Sequence, residues 1–462
     1  MCSRRRLVHL AAFALVVGCG DDAPVGGTAA EAGETSTSEG LSTGTDPDEG
    51  VEAGADETDA GEAGEASTDT GDPSCDPNSP TLTEQDYLAA GESAAGVSLP
   101  ACEDHVWWVS AAAGVETTVS VDASGPVEVA ISYPDDPSFT AALTTTTLYR
   151  PGKLEFVAPR SGEFAVLLRP QNPAADPELS VGYDLAVACT NQCERETTRF
   201  PIVLVHGWTG FENIGPIDYF YHVREDLEDL GYPIAVAVLD PYNAVEIRGE
   251  QLAAFVGATL SVQRARKLDL VGHSQGGIDS RYVASDAGAG FGGQIGAVVT
   301  IATPHYGTPV TDVALGLLPG AGEQALAFFL NFLGATQNQQ SDAEASLYTL
   351  SETFMQQEFN LVYLDDPRVK YMSWSGETCV AGIGCDDSVD PLLLFSFQII
   401  AGMSGTNDGL VSESSAKWGE YLGSIPADHI DEVGQIAGVT GFNYDHLAFF
   451  RLNARMLRDQ RF

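Results

Sequence analysis

The feature that most constrains this chain is a serine held between glycines at a strand-to-helix junction, Gly272-His273-Ser274-Gln275-Gly276. Leu268-Asp269-Leu270-Val271 before it reads as a strand, and Ile278 to Ser285 after it as a helix. A serine on so sharp a turn has strained backbone geometry, and its neighbours must lack bulk, as Gly272 and Gly276 do. The free N–H groups at the start of the following helix point at the same spot and favour an oxyanion developing there. In that context Ser274 is a candidate nucleophile. Without the flanking elements the same string would be a Gly-rich turn.

The surrounding segments alternate between strand and helix. Pro201-Ile202-Val203-Leu204-Val205 is a continuous apolar run, as expected of a strand buried on both faces. Helical patterning around Tyr219 to Leu230, a strand at Ile234 to Leu239, a helix at Glu250 to Leu260 and a strand at Ala297 to Ile301 complete the series. That order predicts a mostly parallel sheet with helices on both faces.

Serine needs a base to take its proton. The chain has 8 histidines. When the nucleophile sits on such a turn, the acid and then the histidine follow it in the chain. This leaves His429, in the polar loop Pro426-Ala427-Asp428-His429, and His446, beside an apolar helix that it would pack against or cap. The polar loop favours His429. The acid is expected at a strand end between them. Leu392 to Ala401 reads as that strand, and Asp408, in Asn407-Asp408-Gly409, lies in the turn that follows. Read alone, Asp408 is an ordinary Asp-Gly turn residue. As the third partner it would hold the histidine tautomer and stabilise the imidazolium.

The N-terminal part of the chain speaks of export. Arg4-Arg5-Arg6 precedes an apolar stretch, Leu7 to Val17, too short to span a bilayer stably, and Gly18-Cys19 follows. This resembles a bacterial lipoprotein signal, which implies removal of residues 1–18 and acylation of Cys19; the alternative is an ordinary secretory signal. Residues 19–74 lack aromatic, Lys and Arg residues and are rich in Asp, Glu, Gly, Ala, Ser and Thr. They predict a disordered acidic linker. The formal net charge of −44 excludes nucleic acid as a partner. Cys75, Cys102, Cys189, Cys193, Cys379 and Cys385 remain, an even set in an exported chain, so disulfides are expected. Cys379 and Cys385 are near enough to close a small loop, whereas the pairing of the other four stays open.

Residues 75–193 carry β-rich runs at Val106–Val109, Thr117–Val121, Val127–Ile131, Phe164–Leu168 and Tyr183–Val187, which predict a small all-β sandwich. It is loosely similar to modules found beside secreted hydrolases. Trp107 and Trp108 are candidates for a ligand platform, but neighbours on a strand face opposite ways, so at least one belongs to the core.

Residues 198–462 resemble a known family. His206-Gly207-Trp208-Thr209-Gly210, Arg248-Gly249-Glu250-Gln251-Leu252, Gly272-His273-Ser274-Gln275-Gly276-Gly277, Thr303-Pro304-His305, Asn407-Asp408-Gly409-Leu410-Val411 and His429-Ile430-Asp431-Glu432 have the order and spacing of the bacterial true lipases. These are calcium-containing triacylglycerol lipases of the α/β-hydrolase fold, many of which need a foldase. The resemblance implies Ser274, Asp408 and His429 as the triad and the backbone N–H groups of Trp208 and Gln275 as oxyanion donors. The Trp208 position is usually Leu in the family. The resemblance also implies one structural Ca²⁺, held by the carboxylates of Asp390 and Asp431 and the carbonyls of Gln435 and Val439, with Asp386 and Asp387 close to Asp390 in the chain. The usual disulfide tethering the loop after the catalytic Asp is missing, since Glu413 and Ser414 stand there. That puts the need for a foldase in doubt.

The apolar segments Val313–Leu318 and Ala325–Leu333 lie where the family carries a mobile lid; the competing reading is a core helix pair. The whole predicts an ester hydrolase with a lipid or ester substrate, anchored at the cell envelope through Cys19. A short-chain esterase, phospholipase or lactonase would use the same triad. A surface-binding lipoprotein with a degenerate hydrolase domain, or an adhesive β-domain, is the alternative outside catalysis.

Overall fold

The computed structural model describes residues 79–171, 180–208, 213–214, 217–318, 324 and 342–462. The signal (1–18), Cys19, the acidic linker (19–74), Cys75, Thr209-Gly210 and the apolar run Ala325–Leu333 lie outside the described residues.

Nine strands form two stacked sheets: β1 (Thr81–Leu88), β2 (Ser93–Pro100), β3 (Glu103–Ala111), β4 (Glu116–Ala123), β5 (Val127–Ser132), β6 (Thr144–Leu148), β7 (Gly152–Val157), β8 (Gly162–Pro170) and β9 (Ser180–Asn191). One sheet has the order β1-β3-β8-β5-β6, the other β2-β9-β4-β7. All neighbours are antiparallel except β1 and β3. In β9 the alternation is regular: Val181, Tyr183, Leu185 and Val187 face the core and their neighbours face out. By contrast, β3 is buried on both faces. Trp107 and Val109 join the sandwich core, while Val106 and Trp108 pack in a second cluster with Tyr87 and Leu167.

That second face is covered by the C-terminal part of the chain. The Arg266 guanidinium carbon lies 3.5 Å from the Trp108 ring centre. Arg266 Nε donates to Glu163 Oε2 at 3.0 Å, and Arg199 Nε donates to the other Glu163 oxygen at 2.5 Å. Arg264 pairs with Asp135 at 3.0 Å and stacks on Tyr133. Both tryptophans are buried, so neither forms the ligand platform for which they are candidates, and the core placement expected of at least one holds for both.

A separate six-stranded sheet is built from β10 (Ile202–Val205), β13 (Ile234–Ala237), β14 (Leu268–His273), β15 (Ile295–Ile301), β16 (Lys370–Gly376) and β17 (Glu420–Ile425), and β11 (Asn213–Ile214) pairs with β12 (Ile217–Asp218) in a two-stranded one. The order of the six-stranded sheet is β13-β10-β14-β15-β16-β17, and all its pairs are parallel. β10 shows why it reads as an unbroken apolar run. Val203 and Val205 meet helices α2 (Val245–Gln263) and α3 (Gln275–Ala284) on one face. Ile202 and Leu204 meet α1 (Val223–Leu230) and the C-terminal helix His446–Asp459 on the other.

One element departs from expectation. Leu392 to Ala401 is not a strand: Leu394–Met403 is an α-helix. A uniformly apolar run has no period to separate the two states. The sheet strands in this region are β16 and β17, and Asp408 follows the helix. Cys379–Cys385 is a disulfide, as the spacing suggests, and Cys189 pairs with Cys193. Cys102 is also disulfide-bonded. Among the described residues no helix is long and apolar enough to cross a membrane.

Candidate active site

Ser274 caps α3 at the end of β14 with φ 55° and ψ −129°, the strained turn that its flanking glycines imply. Close packing explains those glycines. A Cβ on Gly276 would strike the Val205 carbonyl oxygen, and one on Gly272 would lie 2.7 Å from the Gly276 oxygen. The Ser274 N–H donates to the Ile301 carbonyl at 2.9 Å, and Thr303 Oγ1 donates to the Ser274 carbonyl at 2.9 Å, which fixes the turn.

His429 Nδ1–H donates to Asp408 Oδ2 at 2.8 Å. The other Asp408 oxygen accepts the N–H groups of Leu410 (2.7 Å) and Val411 (2.6 Å), so the carboxylate cannot turn away. The His429 N–H also donates to the Asp408 carbonyl at 2.9 Å. Ser274, His429 and Trp208 line one narrow pocket whose other walls include Leu350, Leu410 and Val411. His446 does what its position suggests. It starts the last helix, and its Nε2 donates to the Tyr221 carbonyl at 2.9 Å.

Trp208 and Gln275 are brought together. The Trp208 indole N–H donates to Ser346 Oγ, which donates to Gln275 Oε1 at 3.1 Å. Behind them Arg248 is wholly buried. Its Nε donates to Asp279 Oδ2 and its Nη2 to the His206 carbonyl, both at 2.8 Å, and its Nη1 to the Asp240 carbonyl. One guanidinium thus ties α2 and α3 to the loop that carries Gly207 and Trp208.

A second buried chain runs behind Ser274. The Gly207 N–H donates to the Tyr219 hydroxyl at 3.0 Å; that hydroxyl is hydrogen-bonded to His273 Nδ1 at 2.6 Å, and His273 Nε2 to Glu432 Oε2 at 2.8 Å. The same Glu432 oxygen lies 3.9 Å from His429 Nδ1. Burial first, and then the nearby Asp408 charge, pushes the Glu432 carboxyl well above its usual range. Burial and the neighbouring His429 hold His273 well below the usual imidazole value.

Acidic residues from before and after His429 in the chain form a separate pocket. Asp387, Asp428 and Asp431 each place a carboxylate oxygen within 4.8 Å of the others. Burial, then its acidic neighbours, pushes Asp431 up to about 7; burial also pushes Asp428 up to about 6, although three N–H donors oppose it. Asp387 is 5% exposed, and its Oδ2 has no hydrogen-bond partner. Three crowded carboxylates with an unmatched buried oxygen suit a hard divalent cation.

Of the expected ligands, Asp431 and Val439 line this pocket. Asp390 lines it too, but its carboxylate accepts the Leu392 N–H at 2.8 Å and lies outside the cluster, where Asp387 takes its place. The Asp390 N–H instead donates to Asp428 Oδ2. Gln435 lines the Ser274 pocket.

No family model matches the chain. A triacylglycerol lipase of Pseudarthrobacter phenanthrenivorans is 32% identical over 317 residues, which is 57% of this chain and 98% of that protein. The chain belongs to the bacterial triacylglycerol lipase family. A triacylglycerol lipase of Vibrio cholerae is 31% identical over 285 residues, covering 56% of this chain and 88% of that protein. A solved Bacillus licheniformis lipase in its mature form has TM-score 0.43 and 24% identity, covering 57% of this chain and 94% of that one.

This lipase is a serine ester hydrolase. Sequence reading did not single out Tyr219, Asp428 or Glu432, which the structure places around the candidate site, and it named Asp387 only beside Asp390. Glu432 follows His429 by one helical turn in a stretch already marked by motif, and only its burial distinguishes it from a surface acid. Tyr219 carries no local signal, since its role comes from a long-range contact with His273.

Proposed function

We propose that this lipase cleaves triacylglycerols through a covalent acyl-enzyme on Ser274. The observation that most supports the reading is that His429, hydrogen-bonded to Asp408, lines the same pocket as Ser274. His429 takes the Ser274 proton as Oγ bonds to the ester carbonyl carbon. Asp408, accepting from Nδ1–H, stabilises the imidazolium. The N–H groups of Trp208 and Gln275 donate to the carbonyl oxygen as it gains charge. The bond to the glycerol oxygen then breaks, and that oxygen leaves with the proton from His429. A water deprotonated by His429 releases the fatty acid and restores Ser274.

The acidic pocket fits Ca²⁺, with Asp387, Asp428 and Asp431 as carboxylate ligands and carbonyls of the Gln435–Val439 loop as neutral ones. The ion would supply charge neutralisation and hold the loop that carries His429. For the N-terminal segment we propose export and acylation at Cys19, tested by palmitate incorporation that Cys19→Ser abolishes.

Ser274→Ala is expected to abolish p-nitrophenyl butyrate hydrolysis and fluorophosphonate labelling while leaving the melting temperature unchanged. Retained turnover would sink the assignment. Long-chain triacylglycerol emulsions are expected to be cleaved; activity confined to acetyl and butyryl esters would make the enzyme a short-chain esterase.

A further inference from the structure

Two short loops flank the acidic pocket and carry large apolar side chains at their tips. Ile383, in the loop closed by Cys379–Cys385, is 81% exposed. On the second loop Val439 is 65% exposed and Phe442 is entirely in solvent. The loops are fastened at their bases. Asn443 Nδ2 donates to the Asp386 carbonyl at 3.0 Å, and the Gly441 N–H donates to Asp431 Oδ2 at 2.8 Å. Gly441 is required there, because a Cβ would collide with the Asp387 carboxylate. Rigid bases thus present apolar tips that a solvated loop has no reason to carry.

Two observations identify what these tips meet. The first is continuity with the Ser274 pocket. Gln435 lines that pocket, Ile436 beside it is exposed, and Val439 and Phe442 line the acidic pocket, so apolar exposure extends along one loop from one pocket to the other. The second is charge. Residues 371–450 contain no Arg and a single Lys, Lys417, which pairs with Glu413 at 2.7 Å. A segment so poor in cations supplies no electrostatic attraction for an anionic bilayer or nucleic acid. It suits a neutral or zwitterionic lipid boundary, which it would enter by apolar burial alone.

We propose that the loops around Ile383 and Phe442 form an insertion surface that docks this enzyme on a neutral lipid–water boundary, beside the pocket holding Ser274. The proposal rests on the reading of a lipid ester as substrate. The test uses the full chain carrying Ser274→Ala and Cys19→Ser, so that neither turnover nor an N-terminal acyl group contributes. Binding to phosphatidylcholine-coated triolein droplets is measured by flotation. Adding Ile383→Ser and Phe442→Ser is expected to weaken binding about 100-fold, roughly tenfold for each side chain. Phe442→Trp is expected to bind as the parent does. With Ser274 restored, Ile383→Ser is expected to leave p-nitrophenyl butyrate hydrolysis unchanged. Equal flotation of the paired variant and its parent overturns the proposal, as does a Phe442→Trp variant that floats no better than Phe442→Ser. A chain that floats in this Phe442-dependent way but turns over no soluble ester would support the surface and refute the proposed reaction.

Discussion

Asp408 is held by the Leu410 and Val411 N–H groups through one oxygen and by His429 through the other. Asn at this position keeps an acceptor for the two backbone donors but turns its NH₂ group toward His429 Nδ1. The imidazole must then adopt the other tautomer, which cannot accept the Ser274 proton on Nε2. Asp408→Asn is therefore expected to lower kcat about 10⁴-fold with little change in thermal stability, as steady-state kinetics and a melt would show. Arg248 gives the opposite pattern. Its partner Asp279 is fully buried, and one of its oxygens already lacks a partner. Burial pushes Asp279 up to about 6 even with Arg248 beside it. Arg248→Ala leaves that carboxyl alone and is expected to cost about 3–5 kcal/mol in urea unfolding.

At the scale of elements, the clearest departure from expectation is the contact between the sandwich and the lipase sheet. Glu163 is 2% exposed and serves Arg199 and Arg266 at once. Glu163→Gln can satisfy only one of them well and is expected to lower stability by about 1–3 kcal/mol, read as a lower melting temperature. An unchanged melt would mean that the contact contributes nothing to stability. Sequence shows that Trp108 is apolar and on a strand, but not that an arginine far along the chain will cover it. The same distinction runs through the fold. β3, β5, β8 and β9 were legible because their alternation or apolar runs have one reading. β1 and β6 were not, since Thr144–Thr147 is polar, Thr81–Glu84 is polar apart from Leu82, and their strand state comes from pairing with β3 and β5. Leu394–Met403 misled because Ser396 and Gln398 alone interrupt its apolar run and set no helical period. Motif order names Ser274, Asp408 and His429 as the candidate triad, and the structure hydrogen-bonds His429 to Asp408. Asp387 was not distinguishable from Asp390, because the choice depends on which carboxylate the loop turns toward Asp428 and Asp431.

Over the whole molecule, a chain of net charge −44 keeps three carboxylates crowded together beside the loop of His429. Asp428 and Asp431 are raised to about 6 and about 7, mainly by burial and then by acidic neighbours that include Asp387. In the unfolded chain both titrate near the ordinary Asp value of about 3.9. Between those limits the folded state binds more protons than the unfolded one, so without a cation stability falls as pH rises through this window. Calcium bound as proposed would take the deprotonated carboxylates and offset the effect, adding about 4 kcal/mol at a thousand times its Kd. In chelator the melting temperature is therefore expected to fall from pH 5 to pH 7.5, and millimolar calcium is expected to remove most of that fall. Asp387→Asn separates the two causes. It removes one repelling charge and one ligand together. At pH 7.5 it is expected to be more stable than the parent in chelator, yet to gain less from calcium. Parallel pH profiles with and without calcium would deny these carboxylates the ion assigned to them.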